Sequence, residues 1–186
     1  LDQLSESIAP STYKVPRETV LANLPPVQHQ EIEVHISSKT RSIYEELQDD
    51  CYAELPDGSE ITANSAMTVG IRLRQLTSGY AVSDDVDSQS AKLIDDAKLC
   101  ALTDLLESAG EEPVVLFGVL RCELDLLRLA CEKLSSKDHT TTCGFLHGGA
   151  DDLAAWQAGK VQHLGVQIKA GGVGVDMTRA RIAIIV

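Results

Sequence analysis

Two apolar runs rich in β-branched residues, Val161–Gln167 and Ile182–Val186, flank a cluster of glycines at Gly171, Gly172 and Gly174. Short continuous apolar runs bounded by glycine suit strands buried on both faces of a parallel sheet, so this stretch reads as strand, tight loop, short helical turn, strand. Glycine removes the Cβ where backbone must turn sharply or let a ligand approach. In an open α/β sheet such a loop lies at the carboxyl end of a strand, where ligands bind. Its N–H groups can meet phosphate, and Asp176 can accept from ribose hydroxyls. An ordinary strand-to-helix turn explains the glycines equally well at this point. The dinucleotide pattern G-x-G-x-x-G does not fit, since counting from Gly172 its sixth position is Met177.

Upstream, the same grammar repeats. Helical spacing marks Lys92–Ser108, through Leu93, Ala97, Leu99, Leu102, Leu105 and Leu106, with Gly110 as terminator. Pro113 leads into the apolar strand VVLF, followed by an amphipathic helix over Cys122–Leu134, a strand over Thr141–Leu146 and a helix over Asp151–Gln157. Alternating strands and helices predict a parallel sheet covered by helices.

The first half is less regular. Leu24-Pro25-Pro26 forces extended backbone, and Ile32, Val34 and Ile36 alternate with polar residues, which predicts a half-exposed strand over Gln30–Ile36. Ser37 or Ser38 caps a helix to about Gln48 carrying Ile43, Tyr44 and Leu47. Pro56-Asp57-Gly58 joins a small hairpin. A second helix, Ala63–Leu76, carries Met67, Ile71 and Arg74, and Ser83–Ser90 is a loop. The domains are therefore an entry segment with the first strand at 1–36, a helical and hairpin insertion at 37–89, and an α/β lobe at 90–186.

Charge bears on partners. The chain of 186 residues carries a net charge of −12, which opposes nucleic acid on its own. Gln157–Val186, however, sets Lys160, Lys169, Arg179 and Arg181 against Asp176 alone, and local sign governs a groove. No apolar run reaches the roughly 20 residues of a membrane helix, so a cytoplasmic protein without a membrane partner is expected. Cys51, Cys100, Cys122, Cys131 and Cys143 form no C-x-x-C pair and are read as reduced and at least partly buried. His147 beside Gly148-Gly149 reads as a turn residue and Trp156 as a core anchor. Arg72 and Arg74 face either DNA or a salt bridge. The acidic groups Asp84, Asp85, Asp87, Asp95 and Asp96 read as solvated linker and helix start rather than metal ligands.

Taken in order, LANLPPVQHQEIEVHISSKTRSIYEEL, LRQLTSGY, KLCALTDLLESAGEEPVVLFGVLRCELDLL, LHGGADDLAAW and QIKAGGVGVDMTRA resemble the second RecA-like lobe of superfamily-two helicases. The likeness is to the Swi/Snf-type DNA translocases and their phage and bacterial relatives, and it covers nearly the whole chain. The last three segments resemble motif four, the strand and Gly turn after it, and motif five. The resemblance implies an α/β fold, a parallel RecA-like sheet of the P-loop NTPase type flanked by helices, with an N-terminal strand and a helical insertion.

By the same resemblance, Gln167, Lys169, Ala170, Gly171, Gly172 and Thr178 would lie near DNA backbone, and Gly174 and Asp176 near the ATP ribose. Gln167 and Ile168 replace the hydroxyl residues usual before the lysine, and Asp176 stands where many translocases have Asn. The sequence contains neither G-x-x-x-x-G-K-[ST] nor an acidic D-E-x-[HD] box, and no arginine motif follows IAIIV. The intact enzyme is therefore expected to use ATP and Mg2+, with the metal held by a missing N-terminal RecA-like lobe and none in this fragment. The fragment alone, with no catalytic residue of its own, is expected to be inactive. Two alternatives are a small-molecule α/β nucleotide-dependent enzyme using the GGVGVD loop and a non-catalytic helicase-like interaction module.

Overall fold

A computed structural model describes residues 12, 26–84, 91–135, 140–171 and 174–186. The chain divides into two compact units, Leu1–Glu33 and Val34–Val186. Of the first, residues 26–33 carry no regular secondary structure, and Val27 and Ile32 are exposed. The strand expected over Gln30–Ile36 is absent. Alternation alone cannot hold a strand: its N–H and C=O groups need a ladder, and none of these residues pairs with another strand.

The second unit begins with α1 (Ser38–Asp50), whose N-cap Ser37 accepts from the Thr40 N–H and which buries Ile43 and Leu47. The hairpin of β1 (Tyr52–Glu54) and β2 (Glu60–Thr62) follows around the expected turn. Next comes α2 (Ala66–Thr77), capped by Ser65. These elements share a cluster of Ile43, Leu47, Ala53, Leu55, Ile61, Ala63, Leu76 and Ala81. Leu76 is buried with Val69 and Leu73 beside it, whereas Met67 is 77% and Ile71 46% exposed.

A short antiparallel pair, β3 (Tyr80–Ala81) with β4 (Lys92–Leu93), then returns the chain to the α/β lobe. Lys92 and Leu93 therefore belong to a strand rather than to the helix expected from residue 92. Asp95 stands at the helix start, as read from sequence: it accepts from the Ala97 N–H at 3.0 Å and from the Ser37 N–H at 2.8 Å, so its carboxylate ties the starts of α1 and α3 (Ala97–Ala109). Arg72 and Asp84 form an ion pair at 2.8 Å; Asp85 and Asp87 lie outside the described residues.

The lobe itself is a five-stranded, mostly parallel sheet flanked by helices. Its strands are β5 (Val114–Gly118), β6 (Cys143–His147), β7 (Ala150–Asp151), β8 (His163–Gln167) and β9 (Ile182–Ile185), in the order β7-β6-β8-β5-β9. Only β7 runs antiparallel, in a tight hairpin with β6. Strand parity divides the core. Val114 and Leu116 pack with α3 and with α4 (Arg121–Leu134) on one face. Val115 and Val166 pack with Trp156 of α5 (Leu153–Gln157) on the other. Among the described residues, no helix is long and apolar enough to cross a membrane.

His163 opens β8 fully buried, and its Nδ1 accepts from the Val114 N–H at 3.2 Å. Burial, aided by nearby Arg179, pushes its pKa down to about 4. Because the unfolded chain then binds more protons between pH ~6.5 and ~4, stability should fall as pH drops through that window. A shift of this size corresponds to roughly 2–3 kcal/mol once screening is allowed for. Urea unfolding between pH 7 and pH 4 checks it: His163→Asn, which keeps an acceptor but does not titrate, should flatten the curve there.

Candidate nucleotide and nucleic-acid edge

Since β5, β6, β8 and β9 are parallel, their carboxyl ends lie along one edge, and that edge collects the groups of interest. After β5 comes the start of α4 with exposed Arg121; after β6, His147-Gly148-Gly149; after β8, the single helical turn α6 (Ile168–Gly171) with exposed Lys169 and Ala170. In the opening stretch the helical turn thus precedes the loop rather than following it. Arg121 and His147 were not singled out from sequence as part of this edge. Their position after strands β5 and β6 is the signal that would have found them.

The His147 ring turns back on its own loop, its Nδ1 accepting from the Gly149 N–H at 3.1 Å, as a turn residue should. A side chain on Gly148 would begin 3.7 Å from Arg121 Nη2, and one on Gly149 4.0 Å from the same atom. Two bare glycine backbones thus lie beside an exposed guanidinium, an arrangement open to an anion.

Not every position assigned by resemblance is equally free. Gln167 is half-buried and its Nε2 donates to the Val119 carbonyl at 3.1 Å, which braces β8 against the end of β5. Gly171 is buried, and a Cβ there would collide with Val166 and press on Leu146. Packing alone therefore requires glycine at 171. Gly172 lies outside the described residues. Gly174 has φ +75°, a left-handed conformation that suits glycine, with open space around it.

Asp176 is exposed and its Oδ1 accepts from both the Thr178 N–H at 3.0 Å and the Thr178 hydroxyl at 2.7 Å. Those two bonds hold its carboxyl below the ordinary carboxylate range, so it is ionised at neutral pH. The hydroxyl of Thr178 serves this turn. Gln157 Nε2 donates to the Asp176 carbonyl at 2.9 Å, which ties the loop to α5. Beside it, Phe117, Ile168, Gly171, Gly174, Val175, Met177 and Ile185 line a half-open apolar hollow of about 440 Å³.

The basic excess of Gln157–Val186 does not form one patch. Lys160 precedes β8 and Arg181 precedes β9, which puts both toward the amino ends of those strands, opposite Lys169. Arg179 lies 5.2 Å from the Trp156 ring centroid and donates to the carbonyls of Trp156 and Val161. The arginines of α2 are also committed. Arg72 donates to the Val82 carbonyl as well as to Asp84, and Arg74 pairs with Glu123 at 2.9 Å and reaches the Val186 carbonyl. Glu123 further accepts from Ser78 Oγ and from the N–H groups of Val119 and Leu120, so it caps the helix it belongs to. Of the cysteines, Cys122 and Cys131 are buried and Cys143 is half-buried, but Cys51 and Cys100 are exposed, contrary to expectation. Among the described residues, no group of His, Cys, Asp and Glu could hold a metal ion.

No family model matches the chain. It is 27% identical over 149 residues to protein p41 of Acyrthosiphon pisum secondary endosymbiont phage 1. The match takes in 80% of this chain and 30% of that protein, so the chain spans less than a third of the length of its relative.

Proposed function

We propose that the chain is the second motor lobe of an ATP-dependent DNA helicase or translocase, carrying DNA backbone along its carboxyl edge and contributing one wall of an ATP cleft. The observation that supports this most is the meeting, on one edge of a parallel sheet, of exposed Lys169 and Arg121, the bare Gly148-Gly149 turn and the Gly174–Asp176 loop. Cations fixed beside open backbone suit a phosphate chain without regard to base sequence. The acidic residues that dominate the total charge concentrate elsewhere, in Glu45–Asp57, Asp84–Asp96 and Asp104–Glu112.

ATP and magnesium would be held mainly by a first lobe, and the nucleotide's β- and γ-phosphates would find there the metal that neutralises developing charge. On this lobe the exposed, ionised Asp176 fits a ribose hydroxyl, because a carboxylate accepts and does not donate. Gly174 keeps that approach open. The alternative of a self-sufficient nucleotide enzyme is less well supported, since the hollow beside the loop has no charged residue in its lining.

Fluorescence anisotropy of a labelled DNA duplex, titrated across salt, tests the reading. Lys169→Ala and Arg121→Ala should each weaken binding and lower the slope of log affinity against log salt by about 1, as loss of one phosphate contact does. Binding without salt dependence, or slopes identical to the parent chain, would sink the DNA assignment. In the protein that also holds the first lobe, Asp176→Ala should depress DNA-stimulated ATP hydrolysis while leaving stability within about 0.5 kcal/mol, as for an exposed group.

A further inference from the structure

Arg121 and Lys169, the exposed cations of the carboxyl edge, stand on two stretches of chain that part at one point. Strands β5 and β8 run in register as far as the pair Gly118 and Gln167, after which one turns into α4 and the other into α6. Val119 lies one residue beyond that ladder, and side chains take the ladder's place. Gln167 Nε2 donates to the Val119 carbonyl at 3.1 Å, and the Val119 N–H donates to Glu123 Oε2 at 2.7 Å. Both backbone groups of this half-buried residue are thus satisfied by side chains, one from its own helix and one from the neighbouring strand.

The Glu123 carboxylate carries this link on to α2. Its Oε2 also accepts from the Leu120 N–H at 2.9 Å, while its Oε1 accepts from Arg74 Nε at 2.9 Å and from Ser78 Oγ at 3.0 Å. One oxygen therefore holds the residues that lead to Arg121, and the other is held by Arg74 of α2 and by Ser78 at the end of that helix. Gly118 makes room for the carboxylate: a Cβ there would lie 3.1 Å from Glu123 Cβ and 3.3 Å from its Oε2.

We propose, on the reading of this edge as a track for DNA backbone, that Gln167 and Glu123 are positioning residues. They set the spacing of Arg121 and Lys169 through Val119, with α2 as the outer anchor. Gln167 acts on DNA through Val119 rather than by touching phosphate, since its amide nitrogen is turned to the Val119 carbonyl. A backbone gripped by two cations gains from the second only if their spacing is held, because the second contact forms at an effective concentration set by the geometry between them. Loss of either brace leaves both charges in place and weakens their cooperation.

The link is tested first without DNA, from the assigned amide resonances of the isotope-labelled chain. Gln167→Leu should shift the amides of Val119, Leu120 and Arg121 as well as those of Ile168 and Lys169. Ser78→Ala, which removes a buried and uncharged donor, should reach Lys169 as well as the start of α4. Shifts confined to the segment next to each substitution overturn the proposal. Fluorescence anisotropy with a labelled duplex then reads the consequence. Each variant should weaken binding roughly threefold to tenfold, the weight of one hydrogen bond. In Arg121→Ala or Lys169→Ala chains, where no pair is left to hold, the same substitutions should cost less than about twofold. An equal loss in every background, as a direct contact of Gln167 with phosphate or a general softening of the fold gives, also overturns it. If the amide shifts couple as expected but the parent chain binds no DNA, the DNA reading of the edge is what falls, and the role assigned to Gln167 falls with it.

Discussion

Glu123→Ala should lower the unfolding free energy by about 3 kcal/mol, the scale expected when buried donors lose their only charged acceptor. Its carboxylate is 1% exposed and gathers four donors: Arg74 Nε at 2.9 Å, Ser78 Oγ at 3.0 Å, and the N–H groups of Val119 at 2.7 Å and Leu120 at 2.9 Å. Two of these are the half-buried amides that lead into α4, which the variant would leave without this acceptor. Arg74 is 42% exposed and can recover solvent, so the full cost of stranding a buried cation does not apply. Glu123→Gln keeps one acceptor oxygen and should lose about half as much.

Acid titration separates this effect from packing. Burial raises the Glu123 pKa, but hydrogen bonds from Leu120, Arg74, Val119 and Ser78 outweigh it, and the folded-state value lies below the ordinary 4.5. The stabilisation is therefore complete above pH ~4.5 and is lost as pH falls through the folded-state value. Urea unfolding at pH 7 and below pH 4 should show the parent losing this part and Glu123→Ala lacking it from the outset. His163 acts earlier, from about pH 6.5 downward, so the two contributions fall in different parts of the curve.

Glu123 also marks where sequence reading runs out. The lobe was legible because its signals are local: apolar runs for β5, β8 and β9, helical spacing for α4, and a turn triplet for the first hairpin. Glu123 has no such signal. A glutamate in the first turn of an amphipathic helix reads as a favourable charge at a helix start, and only the fold brings Arg74 and Ser78 from α2 against it. The same limit explains α2 itself. Met67 and Ile71 repeat at helical spacing as plausibly as Val69, Leu73 and Leu76 do, and which stripe is buried depends on where β1 and β2 lie. Gln30–Ile36 failed the other way, since alternation records a half-apolar segment but not whether a ladder awaits it. At the candidate edge, Lys169 and Asp176 stood out beside glycines, whereas Arg121 and His147 come from separate strands that only the parallel register aligns. The local excess of positive charge misled for the same reason. Residues close in sequence, Lys160, Lys169 and Arg181, are sent to opposite ends of the sheet by intervening strands.

Trp156→Ala should be the costliest single substitution, at about 3–5 kcal/mol for a fully buried aromatic. The ring fills the face of the sheet formed by Val115, Leu164 and Val166, and its Nε1–H donates to the Gln162 carbonyl at 3.0 Å. Trp156→Phe should recover most of the packing and lose about 1–2 kcal/mol, for one unpaired carbonyl and a smaller ring. The consequence reaches the candidate site through Arg179, which sits over the indole and holds the carbonyls of Trp156 and Val161 just before β9 begins. Removing the ring takes away the cation–π contact and leaves Arg179 its two carbonyl acceptors alone, which should loosen the downstream end of the loop carrying Asp176. Hydrogen exchange in residues 174–181 should then accelerate in Trp156→Ala beyond what the loss of global stability accounts for. If exchange there rises only in proportion to global unfolding, the Asp176–Thr178 turn and Gln157 are enough to hold the loop, and Trp156 acts on the core alone.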